Sequence, residues 1–379
     1  MGKPFRVGWV GGRYKHASGV FREQDDFEII ACCDSNQERL KLAAEDLGVR
    51  RAFTNYEDLL DSDINVIFIG TPQNLHSPMA AAALNRGIHV LSEVPAATDL
   101  EQCCRLVDAV RGSSATYMLA ENYTYVDMVV LIRAMIDAGL FGEVYFGEGE
   151  YMHELKELNE TTPWRRVWQT GRNGNTYPTH CLGPLLLWTG ARVVSVSCLG
   201  SGHHYRDPRG DAYENEDTTL MLCKTDKGSL FKIRLDMLSD RPGNMNHTLQ
   251  GTDGCYEGPR WVGDEYKVWI RGRNPDTQTW TSLWDYREDF LPDERKAGSE
   301  TAKRAGHGGG DYWMPLEFIR ALREGREPAQ GIDFALDCTV PGLVSQQSIA
   351  LGGAPVSVPD FRRYESGSLV VPPPVALTR

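Results

Sequence analysis

Residues 5–16 read FRVGWVGGRYKH. A short apolar run, 5–10, breaks into Gly11 and Gly12. A strand ending in a glycine turn is how a dinucleotide-binding sheet begins. The N–H groups of such a turn, with a helix N-terminus behind them, face a pyrophosphate. The match to G-x-G-x-x-G is imperfect. Counted from Gly11, the later glycine positions hold Arg13 and His16. A plain tight turn also fits, and Arg13 either contacts phosphate or blocks the site. Context favours the dinucleotide. A second apolar run, 27–33, ends at Asp34, 23 positions after Gly11. A ribose-binding carboxylate is expected ~20 residues on. The plainer reading of Asp34 is a neighbour of a helix N-cap. A carboxylate there repels a 2′-phosphate, so the expected cofactor is NAD rather than NADP.

Outward from this stretch, strand and helix patterns alternate. Residues 35–47 read as a helix closed by Gly48, 65–69 (NVIFI) as a buried strand, and 77–86 as an Ala-rich helix. Then come a strand at 89–92, a helix at 100–110 and a strand at 116–120. This order predicts a Rossmann-type, doubly wound parallel sheet over 1–122. Thr71-Pro72-Gln73-Asn74 and Glu93-Val94-Pro95 each follow a strand, at the carboxyl edge where such sheets bind ligands.

The pattern changes after Tyr125. A helix over 126–138 stops at Gly139, and strand-like runs follow at 144–152, 193–199, 218–222, 229–236 and 266–271. They lack an equal number of helices between them, so a second α+β domain with an open, mostly antiparallel sheet is expected over 123–355. Helical stretches are expected near 182–188, 313–324 and 333–351. Residues 154–176 and 286–311 read as long polar loops. The Pro-rich tail, 356–379, is expected on the surface.

Composition narrows the function. The 379 residues carry 40 basic and 52 acidic side chains, a net charge of −12. That balance suits neither nucleic acid nor an anionic membrane. No apolar run approaches a membrane span. The chain enters its first strand without a leader pattern, and its nine cysteines contain no C-x-x-C, which points to free thiols in the cytoplasm. His203-His204 near Glu214, Glu216 and Asp217 imitates a metal site. A solvated loop is the plainer reading, and no metal is expected.

The glycine turn, Asp34, Thr71-Pro72 with His76, Glu93-x-Pro95, Gly139-x-x-Gly142 and His180 together resemble the Gfo/Idh/MocA oxidoreductases. That resemblance implies a Rossmann domain followed by an open-sheet domain. It also implies NAD bound by Gly11, Gly12, Arg13, Asp34, Thr71, Pro72, Asn74, His76 and Glu93, and a dimer or tetramer acting on a sugar. Two positions depart from the family. Val94 stands where it usually has a lysine, and Thr176 where it usually has an aspartate. Two proton-handling groups of a sugar dehydrogenase are thereby missing.

Other residues take up that chemistry. Tyr151-Met152-His153 alternates in a strand, placing Tyr151 and His153 on one face. Tyr177-Pro178-Thr179-His180 brings a second pair, and Gly306-His307-Gly308-Gly309-Gly310-Asp311-Tyr312 opens a later helix. This set is similar to the NAD-dependent glycosidases of glycoside hydrolase family 109. The resemblance implies hydrolysis without net oxidation: transient oxidation of a ring carbinol at C3, loss of the C2 proton, elimination at C1, addition of water and re-reduction. His180 is then expected to take the hydroxyl proton, and Tyr151 or Tyr177 the C2 proton. His153 and Tyr312 are expected to orient substrate or assist the leaving group. Trp164, Arg165, Arg166 and Trp168 either bind sugar or dock a surface loop. The alternatives are a net sugar or cyclitol dehydrogenase, and a non-catalytic dinucleotide-binding protein.

Overall fold

The computed structural model describes residues 5–13 and 17–368. By contact density the chain divides into two compact units.

The first unit holds strands Phe5–Val10 (β1), Phe27–Cys33 (β2), Arg51–Phe53 (β3), Val66–Ile69 (β4), His89–Ser92 (β5) and Tyr117–Leu119 (β6). They form one sheet in the order β3-β2-β1-β4-β5-β6, every pair parallel. This is the doubly wound order of a Rossmann sheet, whose topological switch lies between β1 and β4. β4 is buried along its whole length, as a strand covered on both faces must be. Trp9 of β1 stacks on Phe68 of β4 with ring centroids 4.1 Å apart. The helix Gln37–Leu47 starts one cap later than its sequence suggests: Asn36 Oδ1 accepts from Arg39 N at 2.9 Å, and Gly48 closes it in the left-handed region, φ +65°.

The unit also takes in residues 298–336 and 361–368, which the sequence reading assigned to the second domain and the tail. The helix Gly310–Glu324 supplies Met314, Phe318 and Ile319 to the core around Trp9 and Phe21. Hydrophobic periodicity shows such a helix but not which sheet it covers.

The second unit carries Val144–Met152 (β7), Val193–Gly200 (β8), Thr218–Thr225 (β9), Leu230–Asp236 (β10), Asn244–Gly251 (β11), Gly254–Glu257 (β12), Lys267–Ile270 (β13), Thr281–Ser282 (β14) and Val356–Ser357 (β15). The sheet order is β14-β13-β12-β11-β7-β10-β9-β8-β15. Only β7 and β10 run parallel. β11 (NMNHTLQG) is too polar for its strand character to show in sequence. The helix Thr179–Thr189 lies directly on β7. A Cβ at Gly149 would come within 2.7 Å of Cys181 Cβ, so glycine there permits the close approach.

Both expected long loops contain short helices: Lys156–Thr161 and Trp164–Trp168 in the first, Arg287–Phe290, Asp293–Ala297 and Glu300–Arg304 in the second. Helices of one or two turns leave no readable period. The tail is not wholly superficial. β15 pairs with β8, Val356 and Phe361 are buried, and the Tyr364 hydroxyl donates to Asp108 at 3.0 Å. Residues 369–379 lie outside the described residues. All nine cysteines carry free thiols, and no helix among the described residues is long and apolar enough to cross a membrane.

Candidate active site

In the first unit the glycine turn is tightly determined. Gly11 has φ +92°, and a Cβ there would lie 2.1 Å from the Gly70 carbonyl oxygen. A Cβ on Gly12 would lie 2.9 Å from the Arg39 carbonyl oxygen. Gly12 N–H donates to Asp34 Oδ2 at 2.8 Å, and Asn36 N–H to Asp34 Oδ1 at 2.8 Å. The carboxylate of Asp34 is thus fixed at the end of β2, beside the turn. Arg13 is exposed, and His16 lies outside the described residues.

Thr71 and Pro72 lead into the helix Gln73–Leu84 after β4. The buried Thr71 Oγ1 has no hydrogen-bond partner among the described residues. A side chain that fills this cradle, or a hydroxyl left unsatisfied in it, is costly unless a ligand belongs there. The bare turn, the fixed carboxylate and the orphaned hydroxyl therefore fit a dinucleotide. His76 is buried between the turns that follow β4 and β5. Nδ1 lies 2.9 Å from the Pro95 carbonyl and Nε2 2.8 Å from the Thr71 carbonyl. The buried ring ties the two turns together, and burial holds its pKa below the usual imidazole value. Asn74 lies in the first turn of the same helix, half-buried.

Glu93 follows β5 directly. Burial, then the charge of Asp311, pushes its carboxyl up to about 8. Glu121 and Asn122 follow β6, and Asn122 Nδ2 donates to Asp311 Oδ1 at 2.7 Å. Sequence reading passed over Glu121 and Asn122, although their place just after a parallel strand was a signal. Val94, buried, joins Pro95 through a cis peptide.

In the second unit β7 ends at Met152, and the chain through Gly174 turns Tyr177 and His180 back onto it. Gly174 has φ +112°, and Asn175 N–H donates to Ser345 Oγ at 2.8 Å. The result is a group of four rings. Tyr151 and Tyr177 have centroids 5.7 Å apart, Tyr151 and His180 5.4 Å, and Tyr177 and His180 5.1 Å. The Tyr151 hydroxyl is hydrogen-bonded to His153 Nδ1 at 2.8 Å. His180 sits in the first turn of its helix, and His247 of β11 donates Nε2–H to its carbonyl at 3.0 Å. His247 escaped sequence reading because nothing local marks it. Leu155, Tyr213, Leu235 and Met237 pack against both tyrosines, so an apolar floor lies beside the polar group.

Tyr312, expected with these rings, belongs to the first unit. Its hydroxyl donates to Glu23 at 3.0 Å, and its ring packs edge-on against Trp313. The arginines of Trp164–Trp168 are engaged internally. Arg165 donates to Thr162 and Gln169 and lies over Trp164 at 4.4 Å, while Arg166 pairs with Asp207. His204 Nδ1 meets Asp217 at 2.7 Å, and no group of three metal-ligating side chains forms among the described residues.

Two family models match the chain: "Oxidoreductase family, NAD-binding Rossmann fold" over residues 5–121, and "Glycosyl hydrolase 109, C-terminal domain" over 123–366. The chain is 30% identical to the alpha-N-acetylgalactosaminidase of Shewanella oneidensis, covering 94% of this chain and 85% of that one. A glycosyl hydrolase family 109 protein of Shewanella sp. (strain W3-18-1) is 31% identical over the same shares. Among solved structures, a levoglucosan dehydrogenase in complex with NADH superposes with a TM-score of 0.80 at 20% identity, covering 94% of this chain and 100% of that one. The WlbA dehydrogenase of Bordetella pertussis, in complex with NADH and UDP-GlcNAcA, gives 0.74 at 24%, covering 95% and 99%. These two establish the fold alone. The glycoside hydrolase 109 domain model spans well over half of the chain, and with its Rossmann partner it identifies the protein as a member of glycosyl hydrolase family 109, an NAD-dependent enzyme family on the Gfo/Idh/MocA fold.

Proposed function

We propose that the protein hydrolyses an α-linked N-acetylgalactosaminide, or a closely related amino-sugar glycoside, through transient oxidation at C3. The observation that carries this is the four-ring group. Glycosidases that displace the leaving group directly use paired carboxylates at the scissile bond. Here the converging groups are two imidazoles and two phenols. Bound NAD⁺ would supply the hydride acceptor for the C3 carbinol and, once reduced, the hydride donor that restores it.

The residues of the chain handle protons. His180 accepts the C3 hydroxyl proton, which leaves a ketone and acidifies C2–H. Tyr151 removes the C2 proton. His153, hydrogen-bonded to its hydroxyl, accepts the phenolic proton and makes the phenol a usable base. The C1–C2 double bond forms as the C1–O bond breaks, its electron pair leaving with the aglycone oxygen. Water adds at C1, the proton returns to C2, and His180 gives its proton back to the C3 oxygen. Tyr177, packed against both Tyr151 and His180, orients the sugar. Gly11, Gly12, Asp34, Thr71 and Glu93 would hold the cofactor.

A panel of aryl glycosides tests the reading. Aglycone release without accumulation of NADH supports it. NADH formed in proportion to substrate makes the protein a dehydrogenase.

Leu199, Leu220 and Leu222 stand exposed on neighbouring strands of the second sheet, an apolar strip suited to a second copy of this chain. A dimer or tetramer is the expected assembly, and light scattering reads it. Nine free thiols fit the reducing cytoplasm.

A further inference from the structure

The mechanism leaves the glycine-rich motif before Tyr312 without a task, although it is built with care. His307 has φ +50°, the one non-glycine residue among those described with positive φ. Gly308 and Gly309 continue the left-handed run at φ +60° and +89°. A histidine held there needs its surroundings to impose the conformation. The run closes on Asp311. His307 Nδ1 lies 2.8 Å from Asp311 Oδ2, and Asn122 donates to the other oxygen. A Cβ on Gly306 would come within 2.4 Å of Asp311 Oδ2, and one on Gly310 within 2.4 Å of the Asn122 carbonyl, so no larger residue fits. Asp311 is 2% exposed and His307 43%. The ring is thus anchored at one nitrogen by a buried carboxylate while a good part of it faces outward.

The charged groups that face His307 are Asp311, Glu93 and Glu121, with the Tyr123 ring edge-on at 5.6 Å. Asp311 holds the imidazole above its usual pKa. Glu93 and Glu121 follow β5 and β6, at the carboxyl edge of the β4–β5–β6 half of the sheet. A dinucleotide on this fold lays one nucleotide on each half. With the adenosine ribose on Asp34 after β2, the β4–β5–β6 half receives the nicotinamide nucleotide. The buried Asn122 Oδ1, without a partner among the described residues, marks the same edge as a ligand site.

We propose that His307, braced by Asp311, balances the charge of the nicotinamide: it binds one proton when the ring is reduced and releases it when the ring is reoxidised. Reduction brings two electrons with the hydride and removes one positive charge from the site. A proton from water restores that charge on the imidazole. The cationic ring opposes protonation of His307, and the neutral ring does not. A cycle that ends where it began gains from this, because neither redox state becomes a trap. The inference rests on the cofactor assignment and not on the glycosidase reading, since its test uses no sugar.

The holoenzyme is titrated with redox mediator dyes across the neutral pH range, following the absorbance of the reduced cofactor. For a two-electron couple a tenfold change in equilibrium constant is about 30 mV. The free cofactor takes one proton per two electrons, so its midpoint falls by about 30 mV per pH unit. A second proton doubles that slope. The expected result is the doubled slope in the native protein and the single slope in His307→Asn, which tolerates left-handed backbone. A single slope in the native protein overturns the proposal, as does a doubled slope that survives in His307→Asn or His307→Gln.

Discussion

The Tyr151 hydroxyl and His153 Nδ1 stand 2.8 Å apart at the end of β7, two residues along one chain. The imidazole gives the phenolic proton somewhere to go. Replacing Tyr151 by Phe is expected to lower kcat by about 10²- to 10⁴-fold, the usual worth of a positioned acid–base group, with little change in KM. His153→Gln keeps the phenol but removes the basic acceptor. A smaller fall in kcat is expected. Steady-state kinetics on an aryl glycoside read both.

The glycine turn makes a sharper demand. Gly11→Ala would place a methyl 2.1 Å from the Gly70 carbonyl oxygen at φ +92°. That variant is expected to purify without NAD and to show no thermal stabilisation on adding it. Asp34→Ala removes a charged acceptor for the ribose and the anchor of Gly12 N–H. A hydrogen bond to a charged group is worth roughly 1.5–3 kcal/mol, so NAD affinity is expected to fall by roughly 10- to 100-fold. Isothermal titration of cofactor-free protein measures it. Unchanged affinity rejects the ribose assignment.

Glu93 makes the stability of the cofactor-free protein depend on pH. Its carboxyl is raised from 4.5 to about 8 by burial and by Asp311. Between those values the folded state holds a proton that the unfolded state has lost, so stability falls as pH rises. The contribution is complete below the unfolded value and lost above about 8. Glu93→Gln stays neutral throughout. Thermal melts from pH 5 to 8 are therefore expected to decline less in Glu93→Gln than in the native chain, and parallel declines would show that another group titrates.

Much of this arrangement was legible before the structure. The run into Gly11 and the spacing to Asp34 act locally, so the parallel sheet could be read. Tyr151, His153, Tyr177 and His180 were also readable, because strand alternation and one short motif place each pair. Local signals fail where partners lie far apart in sequence. Nothing near Tyr312 reveals that its hydroxyl meets Glu23, 289 residues away. Nothing near His76 shows that both ring nitrogens go to backbone carbonyls. β11 stayed hidden because its neighbours in the sheet, rather than its composition, make it a strand. Residues 298–336 fold into the first unit because their apolar face meets Trp9 and Phe21, a choice made by packing that no periodicity records.

The fate of one proton separates the chemical alternatives. Elimination requires a base, Tyr151 in the proposed cycle, to take the C2 proton and the cycle to return one there. Direct displacement leaves that position untouched, and a plain dehydrogenase leaves the C1 bond intact. Val94 and Thr176 favour elimination, since neither can handle a proton as the lysine and aspartate usual in sugar dehydrogenases of this fold do. Turnover in D₂O, followed by NMR of the released sugar, is expected to show deuterium at C2. The Tyr151–His153 pair bears on how much. His153 is exposed, so its proton exchanges with solvent and the label enters. Were the proton held and returned internally, a C2-deuterated substrate would still slow the reaction through a primary isotope effect. Hydrolysis with neither C2 deuterium nor that isotope effect rejects elimination and the role given to Tyr151.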